Sequence, residues 1–415
     1  MRKNKAGYLA LSAVLYILFI FSVDFLLGIM GFPAESFAQL RYKPNEDRLI
    51  KNIEFSYRLV TNQEGFRYRD IPFKKPKKNH YRIVVMGDSF VEGTGVDGKD
   101  VFTSRLEQMF SKDGSPVEFI NLGVAGADPL VYEKLLFSEG IRYEPDGVLI
   151  CLYANDLFGM SGADSAAQVA LKEKLAGPQK LVRQLWPHLY ALIKRAYVAY
   201  KNPARLQTGD FKTRIAQIAR ENKIPELKIK QWKARISDEL VEAAERGEFN
   251  GSILYSGLLR PDYWATSLDI NTPLAEEKWR AMQSLLNRMI QELRRRGMEA
   301  AVVYIPVQFQ YDASAHDPVK QNPWVQSGVE IKKQWLTEES RLQARLRGWA
   351  KSAEVPFLDL TDGLRTEQAR RGNLVWPLDG HWTAEGHQAA AKAIGTWIQT
   401  RHLFHRAETK RVNQA

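Results

Sequence analysis

The chain has 415 residues, of which 45% are hydrophobic and 26% charged, so wholesale disorder is excluded. Its length allows one large domain with a sizeable addition, or two domains. The formal net charge of +11 would suit an anionic partner, but no nucleic-acid-binding module accompanies the basic residues, so we expect a solvated basic face. The single cysteine, Cys151, excludes an intramolecular disulfide and a multi-cysteine metal site, and its apolar surroundings are typical of a core residue.

The N-terminus predicts a membrane anchor over residues 7–32. Basic residues precede an apolar run that Asp24 alone interrupts, and about twenty apolar residues suffice for a helix to cross a bilayer. The basic start favours a cytoplasmic N-terminus. A cleaved signal peptide is the alternative, with small residues at Ser36-Phe37-Ala38, although these lie well beyond the apolar run.

Residues 33–78 are predicted to form an irregular polar linker. Within it, residues 61–67 (Thr-Asn-Gln-Glu-Gly-Phe-Arg) have the turn chemistry of a short hairpin between apolar flanks. The lysine-rich stretch 74–78 is predicted to be exposed and to lead into the main domain.

From residue 79 onward, β-branched runs alternate with segments of helical spacing. The predicted strands are 82–86, 117–122, 147–153, 300–305 and 356–360. The predicted helices between and after them are 101–111, 129–141, 275–296, 338–353 and 384–399. Repeated strand–helix units imply an α/β domain with a parallel sheet and helices on both faces, formed by residues 79–156 and 273–401.

Residues 157–272 interrupt this alternation. They are rich in lysine, arginine and alanine and have helical apolar spacing over 171–200 and 213–244. A structureless loop of this length is implausible inside a compact domain, so we predict a helical insertion. Residues 402–415 are predicted to be a basic tail.

Candidate functional residues follow the predicted strands or precede the last helix. Ser89 comes after the first strand, Gly126 after the second and Asn155 after the third, while Asp379 and His381 lie ahead of the final helix. Ligands of open parallel sheets bind outside the carboxyl ends of the strands. Each residue alone would be an ordinary turn, cap or loop residue. Together they provide a hydroxyl nucleophile, a base and oxyanion donors, which acyl-transfer chemistry requires.

Four segments in this order resemble blocks I, II, III and V of the SGNH/GDSL hydrolases. They are Gly87-Asp88-Ser89-Phe90, Asn121-Leu122-Gly123-Val124-Ala125-Gly126, Asn155-Asp156 and Asp379-Gly380-His381-Trp382. Residues 61–67 are similar to a stretch of anchored bacterial members. The resemblance covers about 60–160 and 275–400. It implies a flavodoxin-like three-layer α/β/α domain with a five-stranded parallel sheet.

The resemblance also implies a role for each candidate. Ser89 would be the nucleophile and its own N–H one oxyanion donor, with Gly126 N–H and the Asn155 side chain as the others. His381 would be the general base, and Asp379 would orient it and stabilise the imidazolium.

The sequence departs from the family pattern at the acid. The commoner spacing puts the aspartate three residues before the histidine, where this chain has Leu378. Asp379 is two residues before His381, a spacing similar to the Asp-X-His-Trp of alginate-type acetyltransferases. The identity of the acyl acceptor therefore stays open.

Three functions are compatible with this resemblance. The first is a serine esterase that removes acetyl or other acyl groups from a carbohydrate through an acyl-serine intermediate. The second is an O-acyltransferase for an extracytoplasmic polysaccharide, which would involve a partner in polysaccharide modification. The third is a non-catalytic carbohydrate-binding or assembly protein on a decayed hydrolase fold. We expect a single-pass protein of a bacterial inner membrane, with its catalytic domain on the periplasmic side.

The insertion is predicted either to cap the cleft or to be a bundle with a solvated basic face. The first alternative would bring Trp186, Lys194, Arg195, Trp232 and Trp264 to sugars or acidic groups; the second is expected for most of them.

No cofactor is predicted. His80, His188 and His316 are scattered without metal-ligand spacing, so no metal is predicted either. His387, on the last predicted helix, is expected to be structural.

Overall fold

The computed structural model describes most of the chain. The described residues are 2–29, 41–75, 80–110, 117–160, 185–186, 188–190, 192–193, 211–317 and 322–404. The strands are β1 (Asp47–Lys51), β2 (Ser56–Val60), β3 (Tyr81–Met86), β4 (Val117–Asn121), β5 (Gly147–Tyr153), β6 (Glu299–Ile305) and β7 (Phe357–Asp359). The helices are α1 (Arg2–Ile29), α2 (Ser89–Glu92), α3 (Phe102–Phe110), α4 (Pro129–Ser138), α5 (Asp156–Gly159), α6 (Phe211–Glu221), α7 (Glu226–Lys233), α8 (Asp238–Glu245), α9 (Gly251–Leu259), α10 (Tyr263–Asp269), α11 (Pro273–Arg295), α12 (Pro323–Ser327), α13 (Arg341–Ser352), α14 (Thr361–Arg371) and α15 (Ala384–Thr400).

A five-stranded parallel sheet forms the centre of the protein, in the order β4-β3-β5-β6-β7. Every residue of β5 is buried, as expected for a parallel strand covered on both faces. The five predicted strands are confirmed. The order is the flavodoxin-like one, and it reverses between β3 and β5. The loop after β3 therefore opens into the crevice where ligands of such sheets bind.

Helices cover the sheet in two layers. On one side α3 packs against α15, so closely that a Cβ on Gly395 would lie 2.6 Å from the Met109 Cε. On the other side, α11 is joined to α13 by a hydrogen bond from Trp349 Nε1 to Asn287 Oδ1 (2.8 Å). Helix α14 was not predicted, because its sequence is largely polar and buries only Thr361, Leu364 and Gln368.

A β-hairpin precedes the sheet, but not where the sequence placed it. Strands β1 and β2 pair antiparallel, with Asp47 opposite Val60, so the hairpin predicted at 61–67 is wrong. That turn chemistry is used by Asn62, whose Oδ1 accepts the N–H of Phe66 (2.9 Å) in a turn that follows β2. At its end, the buried Arg67 donates to the carbonyl of Gly93 (2.6 Å), which ties the segment to α2.

Helix α1 forms where the anchor was predicted. Within the described part of the chain, no helix is both long and apolar enough to cross a membrane, so the predicted transmembrane span is not supported. The buried Asp24 carboxylate accepts the N–H of Leu189 (2.7 Å), and Phe21 packs edge-on against Trp186 (5.4 Å).

The insertion is helical over α6–α10. Its apolar side chains form a second buried cluster that includes Phe211, Trp232 and Leu254, with Ile53 and Leu378 packed against it. Most of the helical stretch predicted at 171–200 lies outside the described residues, as do Lys194, Arg195 and the tail from 405 onward.

Candidate active site

Ser89 lies at the junction of β3 and α2. A Cβ on Gly87 would be 2.2 Å from Val91 Cγ2, so only glycine fits this sharp turn. Asp88 then caps α2, because its side chain accepts the N–H of Phe90 (2.9 Å). Ser89 is half-buried and begins the helix, with its hydroxyl at the carboxyl edge of the sheet.

The structure brings three of the predicted residues into one hydrogen-bonded chain. The distance from Ser89 Oγ to His381 Nε2 is 2.7 Å, although the residues are 292 positions apart. His381 Nδ1 makes a short hydrogen bond to Asp379 Oδ1. Proton transfer from the serine to Nε2 is geometrically possible in this arrangement, and Nδ1–H donates to the carboxylate.

The loop that carries His381 folds back on itself around Gly380. Gly380 has φ = +87°, a left-handed conformation that favours glycine. Its N–H donates to Trp376 O (2.7 Å), and Trp376 N–H donates to His381 O (2.9 Å). The next residue, Trp382, is fully buried, and the His381 ring packs at 5.1 Å on Phe90.

The negative charge of Asp379 favours the protonated form of His381. Burial alone would lower the pKa of His381, but the Asp379 carboxylate and its hydrogen bond raise it above the ordinary 6.5. Burial would likewise raise the pKa of Asp379, yet the charge of His381 and several hydrogen bonds keep it below the usual value. Burial raises the pKa of Asp88, the residue before the serine, to about 6.

The two other predicted oxyanion donors are on loops flanking Ser89. Gly126 follows β4, has φ = +73° and is exposed. This loop packs directly on α2, since a Cβ on Gly123 would lie 2.2 Å from Glu92 N. Asn155 follows β5, and its Nδ2 donates to the hydroxyl of Tyr263 at 3.1 Å.

Sequence reasoning missed the residues that surround these groups. Asn52 Nδ2 donates to Asp379 Oδ2 (3.1 Å), and Glu54 accepts the N–H groups of Leu378 and Asp379. Tyr263, on α10, contacts Asn155. The sequence carries no signal for these contacts, because an asparagine in a turn and an aromatic on a helix are ordinary residues in those places.

Three other residues singled out in the sequence, Trp232, Trp264 and His387, are buried in the packed interior. Trp232 is buried and donates to Leu254 O (2.7 Å), and Trp264 is only 2% exposed. His387 is buried and accepts the N–H of Phe102 (3.3 Å). The described residues include no group of three or more His, Cys, Asp or Glu side chains that could hold a metal ion.

A Ser–His–Asp chain at the carboxyl edge of a parallel sheet defines the chemistry of a serine acyl hydrolase. Two family models match the sequence itself: the GDSL-like lipase/acylhydrolase family over residues 85–248, and the SGNH hydrolase-like domain of the acetyltransferase AlgX over 263–415. The first contains Ser89, Gly126 and Asn155, and the second contains Asp379 and His381. The two matched segments are thus SGNH/GDSL hydrolase-like, and the site is that of a carboxylic ester hydrolase or an acyltransferase.

A search of the curated proteins finds none that matches the chain. Solved structures with a similar fold include three hydrolases. They are a GDSL-like lipase from Bacteroides thetaiotaomicron (12% identical, covering 79% of this chain and 92% of that one, TM-score 0.36), a lipase/acylhydrolase from Enterococcus faecalis (13%, 77% and 96%, 0.37) and an acetyl xylan esterase (9%, 76% and 98%, 0.34). Because all three TM-scores are below 0.5, the assignment rests on the family models and the site geometry.

Proposed function

We propose that this protein is a serine esterase that removes acyl groups, in particular O-acetyl groups, from a carbohydrate. The observation that carries the proposal is the 2.7 Å contact between Ser89 Oγ and His381 Nε2, with Asp379 on the other ring nitrogen. A nucleophile and its base within 2.6–3.2 Å, with the base oriented by a third group, is the arrangement that activates a serine.

In the first step, His381 Nε2 takes the proton of the Ser89 hydroxyl while Oγ bonds to the ester carbonyl carbon. The carbonyl oxygen becomes an oxyanion, and the N–H groups of Ser89 and Gly126 together with Asn155 Nδ2 are proposed to stabilise it. The imidazolium then gives its proton to the departing sugar oxygen as the C–O bond breaks, which leaves the acyl group on Ser89. Asp379 stabilises the imidazolium throughout without taking its proton.

In the second step, His381 takes a proton from water, and the water oxygen bonds to the acyl carbon. The bond to Ser89 Oγ breaks, the proton returns to Oγ from Nε2, and the carboxylic acid leaves. The half-exposed positions of Ser89, Asn155 and His381 support access of a second substrate from the cleft.

The second candidate is an O-acyltransferase, in which a sugar hydroxyl replaces water in the second step. Two observations favour it: the acetyltransferase model matches the segment that holds the base, and the acid lies two residues before His381. The purified enzyme, incubated with a chromogenic acetyl ester with and without oligosaccharide, separates the two. Equal hydrolysis in both, with no acylated sugar by mass spectrometry, would reject the transferase.

We also propose that the enzyme acts outside the cytoplasm, at a bacterial inner membrane. Support comes from the basic start of α1 and from its large exposed apolar side chains, such as Phe19 (63% exposed) and Phe25 (68%). The measurement is cell fractionation of the full chain with protease access to a C-terminal tag in spheroplasts. Recovery in the cytoplasmic fraction, protected from protease, would reject this location.

The experiment that tests the proposed function is labelling with a fluorophosphonate probe. Wild type should be labelled and should hydrolyse the chromogenic ester, and Ser89→Ala should lose both. Ser104→Ala is a matched control, because the Ser104 hydroxyl donates only to Gly98 O at an exposed position. Unchanged activity in Ser89→Ala would instead favour the non-catalytic alternative with a contaminating hydrolase.

A further inference from the structure

We infer that the tip of the β1–β2 hairpin, residues 52–55, positions Asp379 for its work on His381. This hairpin tip precedes the segments that either family model matches. The inference rests on the proposed function, since it concerns the acid of that reaction. Asn52 and Glu54 are therefore assigned as positioning residues.

Asn52 fixes the carboxylate of Asp379. Its Nδ2 donates to Oδ2 at 3.1 Å, while Oδ1 is the atom that contacts His381 Nδ1. Each carboxylate oxygen of Asp379 therefore has its own hydrogen-bond partner, His381 at Oδ1 and Asn52 at Oδ2. An aspartate held at one oxygen alone can rotate about χ2, which is a soft torsion. The Asn52 contact removes that freedom, so the oxygen facing the base stays in place.

Glu54 fixes the backbone that carries the acid. Its carboxylate accepts the Leu378 N–H (2.9 Å) and the Asp379 N–H (2.7 Å). A half-buried carboxylate beside a second carboxylate is electrostatically unfavourable, and burial together with the charge of Asp379 raises the pKa of Glu54 despite these two hydrogen bonds. A purely structural turn would not need a second acid at this place. The place of Glu54 is explained if its carboxylate serves as a strong acceptor for the two N–H groups of the loop, those of Leu378 and Asp379.

The hairpin tip is itself held rigidly. The Asn52 N–H donates to Phe55 O (2.8 Å), and the Ile53 N–H donates to Glu248 O in the insertion (2.8 Å). The ring of Phe55 packs on Trp376 at 5.4 Å, in the loop that carries the acid. Among the described residues, no hydrogen bond joins Asn52 or Glu54 to Ser89 or His381, so both act through Asp379.

The test uses the full chain with Asn52→Ala, which deletes the donor to Asp379 and also the Oδ1 that accepts the Glu54 N–H at 3.3 Å. Removal of one hydrogen bond to a charged group predicts a fall in kcat of about ten- to hundredfold, with KM within about twofold. Glu54→Gln keeps one acceptor oxygen and should lose about three- to tenfold in kcat. Asp47→Asn is the matched control in the same hairpin, because it breaks only an exposed ion pair with Arg58 and should keep wild-type kcat.

Two further readouts separate positioning from general damage to the fold. Asp379 raises the pKa of His381, so a misplaced Asp379 should shift the acid limb of the kcat/KM profile of Asn52→Ala to lower pH. In the Asp379→Ala background, adding Asn52→Ala should change kcat by less than about twofold, because the group it acts on is gone. Thermal melting of every variant shows whether it is folded.

The outcomes distinguish this inference from the proposed function. If wild type is neither labelled nor active, the proposed function fails. If wild type is active but folded Asn52→Ala and Glu54→Gln keep its kcat and its pH profile, the hairpin inference fails alone. The hairpin inference would also be overturned if the kcat loss of the double variant equals the product of the kcat losses of Asn52→Ala and Asp379→Ala. If Asn52→Ala does not fold, Glu54→Gln and its own cycle with Asp379→Ala decide.

Discussion

Tyr263→Phe is expected to slow catalysis by loosening an oxyanion donor. The Tyr263 ring is enclosed by Phe158 at 4.4 Å, Trp264 at 5.0 Å and Trp324 at 5.2 Å. Phenylalanine can keep each of these ring contacts, so the change removes only the hydroxyl that accepts from Asn155 Nδ2. The Asn155 amide would then lose the hydrogen bond that holds it in place as the proposed oxyanion donor.

The size of the effect lies between two limits. Complete loss of one oxyanion donor costs about 10²–10³ in kcat. Net loss of a neutral hydrogen bond costs about 0.5–1.5 kcal/mol, which is roughly two- to twelvefold. Asn155 itself stays in place, so we expect a value near the lower limit, about three- to tenfold in kcat. KM should change little, because the oxyanion forms only in the transition state.

Steady-state kinetics on a chromogenic acetyl ester measure this effect, with Tyr255→Phe as the matched control. Tyr255 lies on α9 of the same insertion, and its ring faces Arg214 at 6.0 Å. That control should retain wild-type kcat. An unchanged kcat in Tyr263→Phe, or an effect confined to KM, would refute the view that the insertion orients Asn155.

Three further outcomes follow from the geometry. Asp379 raises the pKa of His381, so the acid-side half-maximum of kcat/KM should lie above pH 6.5, and Asp379→Asn should move this half-maximum to lower pH. An acid-side half-maximum below pH 6.5 in wild type would contradict this. Burial lowers the pKa of His387 to about 3, so the unfolded chain binds a proton between pH 6.5 and 3 that the folded chain does not. This proton uptake by the unfolded chain leaves the free energy of unfolding unchanged above pH 6.5 and lowers it by about 2 kcal/mol at pH 5. The free energy of unfolding of His387→Asn, measured in urea, should therefore depend less on pH than that of wild type; an equal pH dependence would refute the reasoning. Gly380→Ala places a side chain at φ = +87°, which costs about 1–2 kcal/mol, and should lower kcat with only a small fall in Tm; wild-type kcat would show that the loop tolerates it.

The parts of the fold with strong local signals could be predicted from the sequence. β3, β5 and β6 are runs of β-branched and aliphatic residues, and their burial follows from that composition. Ser89 is predicted from its place after the first strand together with the resemblance of residues 87–90, and of the blocks that follow them, to the SGNH/GDSL pattern. The strand order itself came from the resemblance, since periodicity does not specify which strands pair.

The hairpin was misplaced because local turn chemistry competes with tertiary contacts. Residues 62–65 contain asparagine and glycine, whereas the true turn, Asn52-Ile53-Glu54-Phe55, has no glycine. Its shape depends on Ile53 N–H donating to Glu248 O, which lies far along the chain. The hydrogen bond from Asn52 to Asp379 likewise joins residues that are far apart in the chain, 327 positions from each other. Such pairs carry no signal in a single sequence.

The unusual spacing of the acid has a physical basis in the loop. The left-handed Gly380 turns the chain between Asp379 and His381, so that an aspartate only two residues away contacts Nδ1. Leu378, at the commoner position of the acid, instead packs against the apolar cluster of the insertion. The loop is therefore held by the insertion on one side and by Glu54 on the other.

The hairpin tip and the insertion affect the same site at different points, one at the acid and one at an oxyanion donor. Neither places a new nucleophile beside Ser89 in the described structure, so both should alter the rate of acyl transfer without choosing the acceptor. Oxyanion stabilisation is needed whether water or a sugar attacks the acyl-serine. Tyr263→Phe should therefore lower hydrolysis and any transfer by the same factor, with their ratio constant. A changed ratio would show that the insertion also binds the acceptor.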